Sequence, residues 1–139
     1  MAVPIERMEY AARSFANLWV DSTIEPAGAL DQVRQLYRDD AVFISPNPPR
    51  ISSEFETILH GRDQIMKYHD VCMKRFPAGS ARTIAIMFGI DMAIWVYEAK
   101  LTNAVMADVL LFDEHGMIET QRVTSAGLQP GEPPGLRHG

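Results

Sequence analysis

The spacing of hydrophobic and polar positions changes part-way along the chain. Over residues 6–20, ERMEYAARSFANLWV, the apolar residues Met8, Ala11, Ala12, Phe15, Leu18 and Trp19 recur three and four apart, the stripe of a helix packed on one side. STIEPAG (22–28) interrupts it with Pro26 and Gly28. A second, shorter helix is predicted over ALDQVRQLY (29–37), burying Leu30, Val33, Leu36 and Tyr37 and ending near Asp39 and Asp40. AVFIS (41–45) has the texture of a strand. PNPPRISS (46–53) reads as an irregular loop, because proline has no N–H to donate to a ladder. GRDQIMKYHDVCMKRF (61–76) restores the helical spacing through Ile65, Met66, Tyr68, Val71, Cys72 and Phe76.

From residue 81 the period becomes two, and β-branched and aromatic residues dominate. ARTIAIMF (81–88), MAIWVYEAKL (92–101), AVMADVLLF (104–112) and MIETQRVTS (117–125) are separated by GID, TN and DEHG, the pattern of an antiparallel meander. Helices first and strands afterwards predict an α+β domain in which helices cover one face of a curved sheet. Residues 1–125 are expected to form that single domain. Residues 126–139, rich in Gly and Pro, are expected to be a tail outside it. No internal repeat is visible.

Composition narrows the function classes. A chain of 139 residues with 47% hydrophobic content is the size of one domain with room for a substantial core. A net charge of −5 argues against nucleic acid or an anionic membrane surface as partner, since both demand clustered Lys and Arg, and only MKRF (73–76) is locally basic. The lone Cys72 excludes an internal disulfide and fits a reducing compartment. The opening MAVPIERMEYAAR has no apolar core before a small-residue cleavage site, and no stretch is long enough to span a bilayer, so a cytoplasmic protein is expected. The histidines at 60, 69, 115 and 138 lack metal-ligand spacing, and neither a Gly-rich phosphate cradle nor a G-x-S-x-G elbow is present. No metal and no cofactor are expected.

One residue stands against its surroundings. In the strand 104–112, alternation puts Ala104, Met106, Asp108, Leu110 and Phe112 on one face and Val105, Ala107, Val109 and Leu111 on the other. A carboxylate among Met and Leu loses hydration, so its pKa should rise until it can donate a hydrogen bond or collect a proton near neutral pH. The structural alternative is a buried Asp bonded to a neighbouring strand or to Arg122.

LYRDDAVF (36–43), LHGRDQIMKY (59–68) and DVLLFDEHGMI (108–118), in that order and at those distances, resemble the nuclear transport factor 2-like superfamily. Within it the chain is most similar to the ketosteroid isomerases and SnoaL-type polyketide cyclases, over about residues 10 to 125. The resemblance implies a cone-shaped α+β shell: a curved, mostly antiparallel sheet covered by about three helices, cystatin-like in outline. Such shells are usually homodimers through the sheet, and their open end leads to an apolar pocket. The superfamily includes isomerases, cyclases, dehydratases and plain binding modules.

Matched through FDEHG, Asp108 falls where ketosteroid isomerases carry the protonated Asp of their oxyanion hole. Their base, another Asp just before a proline, is replaced here by Ser45, far too weak a base for a carbon-bound proton. The first helix offers Phe15, Asn17 and Trp19 where an oxyanion tyrosine would stand, with Tyr10 about a turn too early. Steroid isomerase activity is therefore not carried over. His69 matches a pocket-facing aromatic position, and some dehydratases of the superfamily pair a His with an Asp. A His69–Asp108 dyad is one expectation, and a surface His69 beside Asp70 is the other. Phe15, Trp19, Ser45, Asn47, Met106 and Gln121 are the expected pocket-lining residues. Two functions follow: a cofactor-free isomerase, cyclase or lyase acting by proton transfer on a small apolar carbonyl compound, or a non-catalytic module that binds a ligand or a partner in the same cone.

Overall fold

The computed structural model describes residues 2–20, 25–76, 79–100 and 103–126; the expected tail beyond 126, with His138, lies outside them. The first helix, α1 (Ile5–Trp19), begins after the extended Pro4 and buries Met8, Ala11, Ala12, Phe15 and Leu18, the same stripe the spacing gives. Helix α2 (Pro26–Arg34) has Pro26 in its first turn, where a missing N–H costs nothing. It ends three residues before the predicted boundary. The Leu36 carbonyl accepts the Ile118 N–H at 2.8 Å, so pairing with a distant strand captures the chain and Tyr37 opens β1 (Tyr37–Ile44) instead of closing a helix. Asp39 and Asp40 accordingly lie exposed on a strand, Asp39 paired with Arg62 at 2.9 Å.

Two further elements depart from the sequence pattern. The proline-rich segment is not wholly irregular: Pro48–Ile51 forms a short helix, α3, with proline at its start. Ile58–His60 forms β2, antiparallel to β1 with Val42 opposite His60. Gly61, at φ +89°, then reverses the chain into α4 (Arg62–Arg75), a backbone conformation that L side chains rarely adopt. The described residues thus hold four helices, one more than expected.

The predicted meander forms nearly residue for residue as β3 (Ala81–Phe88), β4 (Met92–Ala99), β5 (Ala104–Phe112) and β6 (Ile118–Ser125). Asp113 closes the last hairpin, its Oδ1 accepting the N–H groups of His115 (2.9 Å) and Met117 (3.0 Å). The six strands run in the order β2-β1-β6-β5-β4-β3, antiparallel except where β1 lies parallel to β6. A bulge between Thr83 and Ala85 interrupts the β3–β4 register. Helix α1 packs on β3 and β4 and α4 on β1, leaving a hollow between helices and sheet. The core on the near side includes Phe15, Leu18, Trp95, Leu110 and Ile118, all fully buried.

Candidate functional site

Asp108 sits mid-strand on the inner face of β5, opposite Trp95 on β4 and Val123 on β6. Its diagonal neighbours on those strands are therefore Tyr97 and Gln121, within reach of a carboxyl group. Both are bonded to it: Tyr97 Oη donates to Oδ1 at 3.0 Å and Gln121 Nε2 to Oδ2 at 3.0 Å. Among the described residues no cation is paired with it. Arg122 is exposed, one position from the inward Gln121 and thus on the other face of β6, so the structural alternative of an Asp108–Arg122 pair is not realised. Burial pushes the Asp108 carboxyl up from 3.8 to about 7, against the opposing effect of the two hydrogen bonds.

The network continues away from Asp108. Tyr37 Oη donates a short bond to Gln121 Oε1, and His69 Nε2 lies 2.9 Å from the same Tyr37 oxygen. An amide oxygen only accepts, so Tyr37 commits its one proton to Gln121, and His69 must donate Nε2–H to Tyr37. The remaining ring nitrogen, Nδ1, then carries a lone pair, and it is buried without a partner among the described residues. Burial alone lowers His69 from 6.5 to about 4, so the ring is neutral at pH 7. Phe15, Phe43 and Tyr68 pack around it at ring-centroid distances of 5.7 to 6.1 Å.

Asp108 and His69 both line a cavity of about 340 Å³, the size of a small-ligand site. Trp19, Phe43, Tyr68, Phe76, Tyr97 and Met106 supply its apolar wall, and Asn47 and the exposed Arg50 belong to its rim. Asp108 is the one carboxylate among the described lining residues.

Of the residues expected at the pocket, Asp108, His69, Trp19, Asn47 and Met106 reach it. Three do not. Phe15 is turned into the core behind Tyr37, with ring centroids 5.6 Å apart. Ser45 is buried and its Oγ accepts the Asn47 N–H at 3.1 Å, which makes it a turn former. Gln121 lies behind Asp108, fully buried. A surface-exposed His69 is excluded by its burial, and the direct dyad is replaced by the bridge through Gln121 and Tyr37.

Sequence reasoning missed the roles of Tyr37 and Tyr97. Tyr97 had a signal: alternation aligns it with Trp95, and the β4–β5 register sets it diagonally from Asp108. Tyr37 had none, since the helical spacing absorbed it. The oxyanion tyrosine that α1 fails to provide has no substitute there, since Tyr10 is exposed and accepts a bond from Gln32.

No family model matches the chain, and no curated protein matches it in sequence. In fold it is similar to a SnoaL-like protein of unknown function from Burkholderia thailandensis E264, with a TM-score of 0.72 and 20% identity over 91% of this chain and 100% of the other. A provisionally assigned ketosteroid isomerase from Kribbella flavida DSM 17836 gives 0.61 and 14% over 93% and 83%. A de novo designed protein with a curved β-sheet gives 0.63 and 9% over 89% and 88%. A shell shared by natural and designed chains at such identities is a likeness of fold, and chemistry has to be argued from the residues inside it.

Proposed function

We propose that this chain, which has the SnoaL-like fold of the nuclear transport factor 2-like superfamily, is a cofactor-free isomerase, cyclase or lyase that moves a proton on a small apolar carbonyl compound. The observation that carries the reading is the pairing, in one apolar cavity, of a carboxyl group that holds its proton to about pH 7 with a neutral imidazole whose Nδ1 is unpartnered.

The chemistry follows from those two groups. The substrate carbonyl accepts the Asp108 proton, with Tyr97 donating to the same carboxyl oxygen and steadying it. His69 takes a proton from the carbon next to the carbonyl at Nδ1 once the substrate displaces the side chains that bury that nitrogen, giving an enol or enolate and an imidazolium. Burial makes His69 a weak base in the empty cavity, and the negative charge developing on the substrate strengthens it at the moment of transfer. Return of the proton at another carbon isomerises the substrate, attack of the enolate on a second carbonyl closes a ring, and expulsion of a leaving group eliminates. Arg50 has no ion-pair partner among the described residues, so the rim accommodates a polar or anionic end of the substrate while its apolar body lies inside.

The test is α-hydrogen exchange. Cyclic and aromatic ketones, with and without a terminal carboxylate, are incubated with the protein in D₂O and followed by NMR. Protein-dependent deuteration of at least one, saturable in ketone, is expected. Ketones that bind, as read by quenching of Trp19, without any deuteration would favour the binding-module reading instead.

The dimer is a second part of the proposal. The outer face of the sheet carries the exposed Val105 and the partly buried Ile94, Val96, Val109 and Leu111. Light scattering behind a sizing column is expected to give twice the chain mass, reduced to one by Val109→Lys. A monomer for the wild-type chain would remove this face as an interface.

A further inference from the structure

We propose that Gln121 is a turning link that writes the protonation state of Asp108 into the tautomer of His69, two side chains bridged through it and Tyr37. The argument is one of donors and acceptors along a closed chain. With Asp108 ionised, both its oxygens accept, from Tyr97 and from the Gln121 amide nitrogen. Gln121 Oε1 then accepts from Tyr37, Tyr37 accepts from His69 Nε2, and Nδ1 is bare.

A proton added to Asp108 Oδ2 faces the Gln121 NH₂, donor against donor. Half a turn of the amide exchanges its oxygen and nitrogen at the same two positions. Oδ2–H now donates to Gln121 Oε1, Gln121 Nε2 donates to Tyr37 Oη, and Tyr37 swings its proton to His69 Nε2. The imidazole gives up the Nε2 proton and takes one up at Nδ1, remaining neutral. One proton has been gained, at Asp108, and Nδ1 has changed from acceptor to donor. When a carbonyl in the cavity takes the Asp108 proton, the Gln121 amide keeps its original setting and Nδ1 stays bare. In the empty site the base is therefore masked whenever the acid is loaded, and a bound carbonyl unmasks it. Gln121 acts here as a positioning residue.

The surroundings leave Asp108 as the group that changes charge near neutral pH. Tyr37 on β1 and Tyr97 on β4 are held protonated by burial first and by the Asp108 charge after it, and Tyr68 on α4 by burial first and by Cys72 after it. Burial raises Cys72 on α4 to about 11. Arg50 lies at the rim, α1 presents Phe15 and Trp19, and β5 adds Met106.

The experiment is ¹⁵N NMR of the histidine rings of the full chain between about pH 5.5 and about pH 8.5, the range over which a group titrating near 7 changes charge. His69 is identified by the signals lost in His69→Gln. The expected result is a neutral ring throughout, with the proton on Nδ1 at the acid end, on Nε2 at the alkaline end, and a midpoint near 7. Asp108→Asn is expected to hold one tautomer over the whole range. Gln121→Met, which can no longer accept from Tyr37, is expected to fix the proton on Nδ1. A wild-type ring that keeps Nε2–H at every pH, or one that simply becomes imidazolium, overturns the coupling, as does a tautomer that still follows pH in Asp108→Asn. No substrate enters the measurement, so its failure and that of the proton-transfer reading are separate results.

Discussion

Asp108→Asn is expected to leave the shell folded and to lower α-hydrogen exchange on a responsive ketone by about 10²-fold, the lower end of what a positioned proton donor contributes. The lower end applies because asparagine still offers an N–H to the carbonyl oxygen and loses only the transferable proton. The pH dependence separates this role from a structural one. Wild-type Asp108 is pushed up to about 7 by burial, so the acid form is lost and the rate falls as pH rises through that value. The variant has no such limb. Initial exchange rates measured from about pH 5.5 to about 8.5 check both statements, and a variant with the wild-type profile would remove Asp108 from the chemistry. Asp108→Leu, which offers the carbonyl no donor at all, extends the loss.

The elements legible in the sequence were those whose pattern answers to burial on their own face. The stripe of α1 and the alternation of β3 to β6 each report one buried side, and both appear where expected. The expected α+β shell with a curved, mostly antiparallel sheet appears as well. What escaped was set by partners distant in sequence. Leu36 and Tyr37 leave the helix because Ile118 takes the Leu36 carbonyl, and β2 exists as a strand only beside β1. Local spacing carries neither fact.

The candidate site divides the same way. Asp108 is visible as a polar residue in an apolar alternation, and its partner Gln121 lies on a face that alternation also identifies. His69 had an unused signal, since it stands four residues after Ile65 and three before Cys72, on the buried stripe of α4. Adjacent Asp70, which bonds Lys74 at the surface, concealed it. The bridge through Tyr37 depends on the parallel β1–β6 pairing, a long-range register that no window of sequence reports.

The two buried titratable groups also predict a stability profile in which each hides the other. Folded Asp108 binds its proton up to about pH 7 against 3.8 in the unfolded chain, so its contribution is complete below 3.8 and is lost as pH rises through 7. Folded His69 resists protonation down to about 4 against 6.5 unfolded, so its contribution is complete above 6.5 and is lost as pH falls towards 4. Between about 4 and 6.5 the folded protein carries one extra proton on Asp108 while the unfolded chain carries one extra on His69, and the two slopes cancel. Removing either group unmasks the other. Relative to wild type, Asp108→Asn is expected to gain stability as pH rises from 3.8 to about 7, by about 4 kcal/mol at about 1.4 kcal/mol per pH unit. Relative to wild type, His69→Gln is expected to lose stability as pH rises from about 4 to 6.5, by about 3 kcal/mol on the same conversion. Surface carboxylates are common to all three proteins and drop out of the differences. Urea midpoints at a series of pH values measure them, and slopes of the same sign in the two variants would mean that one of these groups meets water in the folded state.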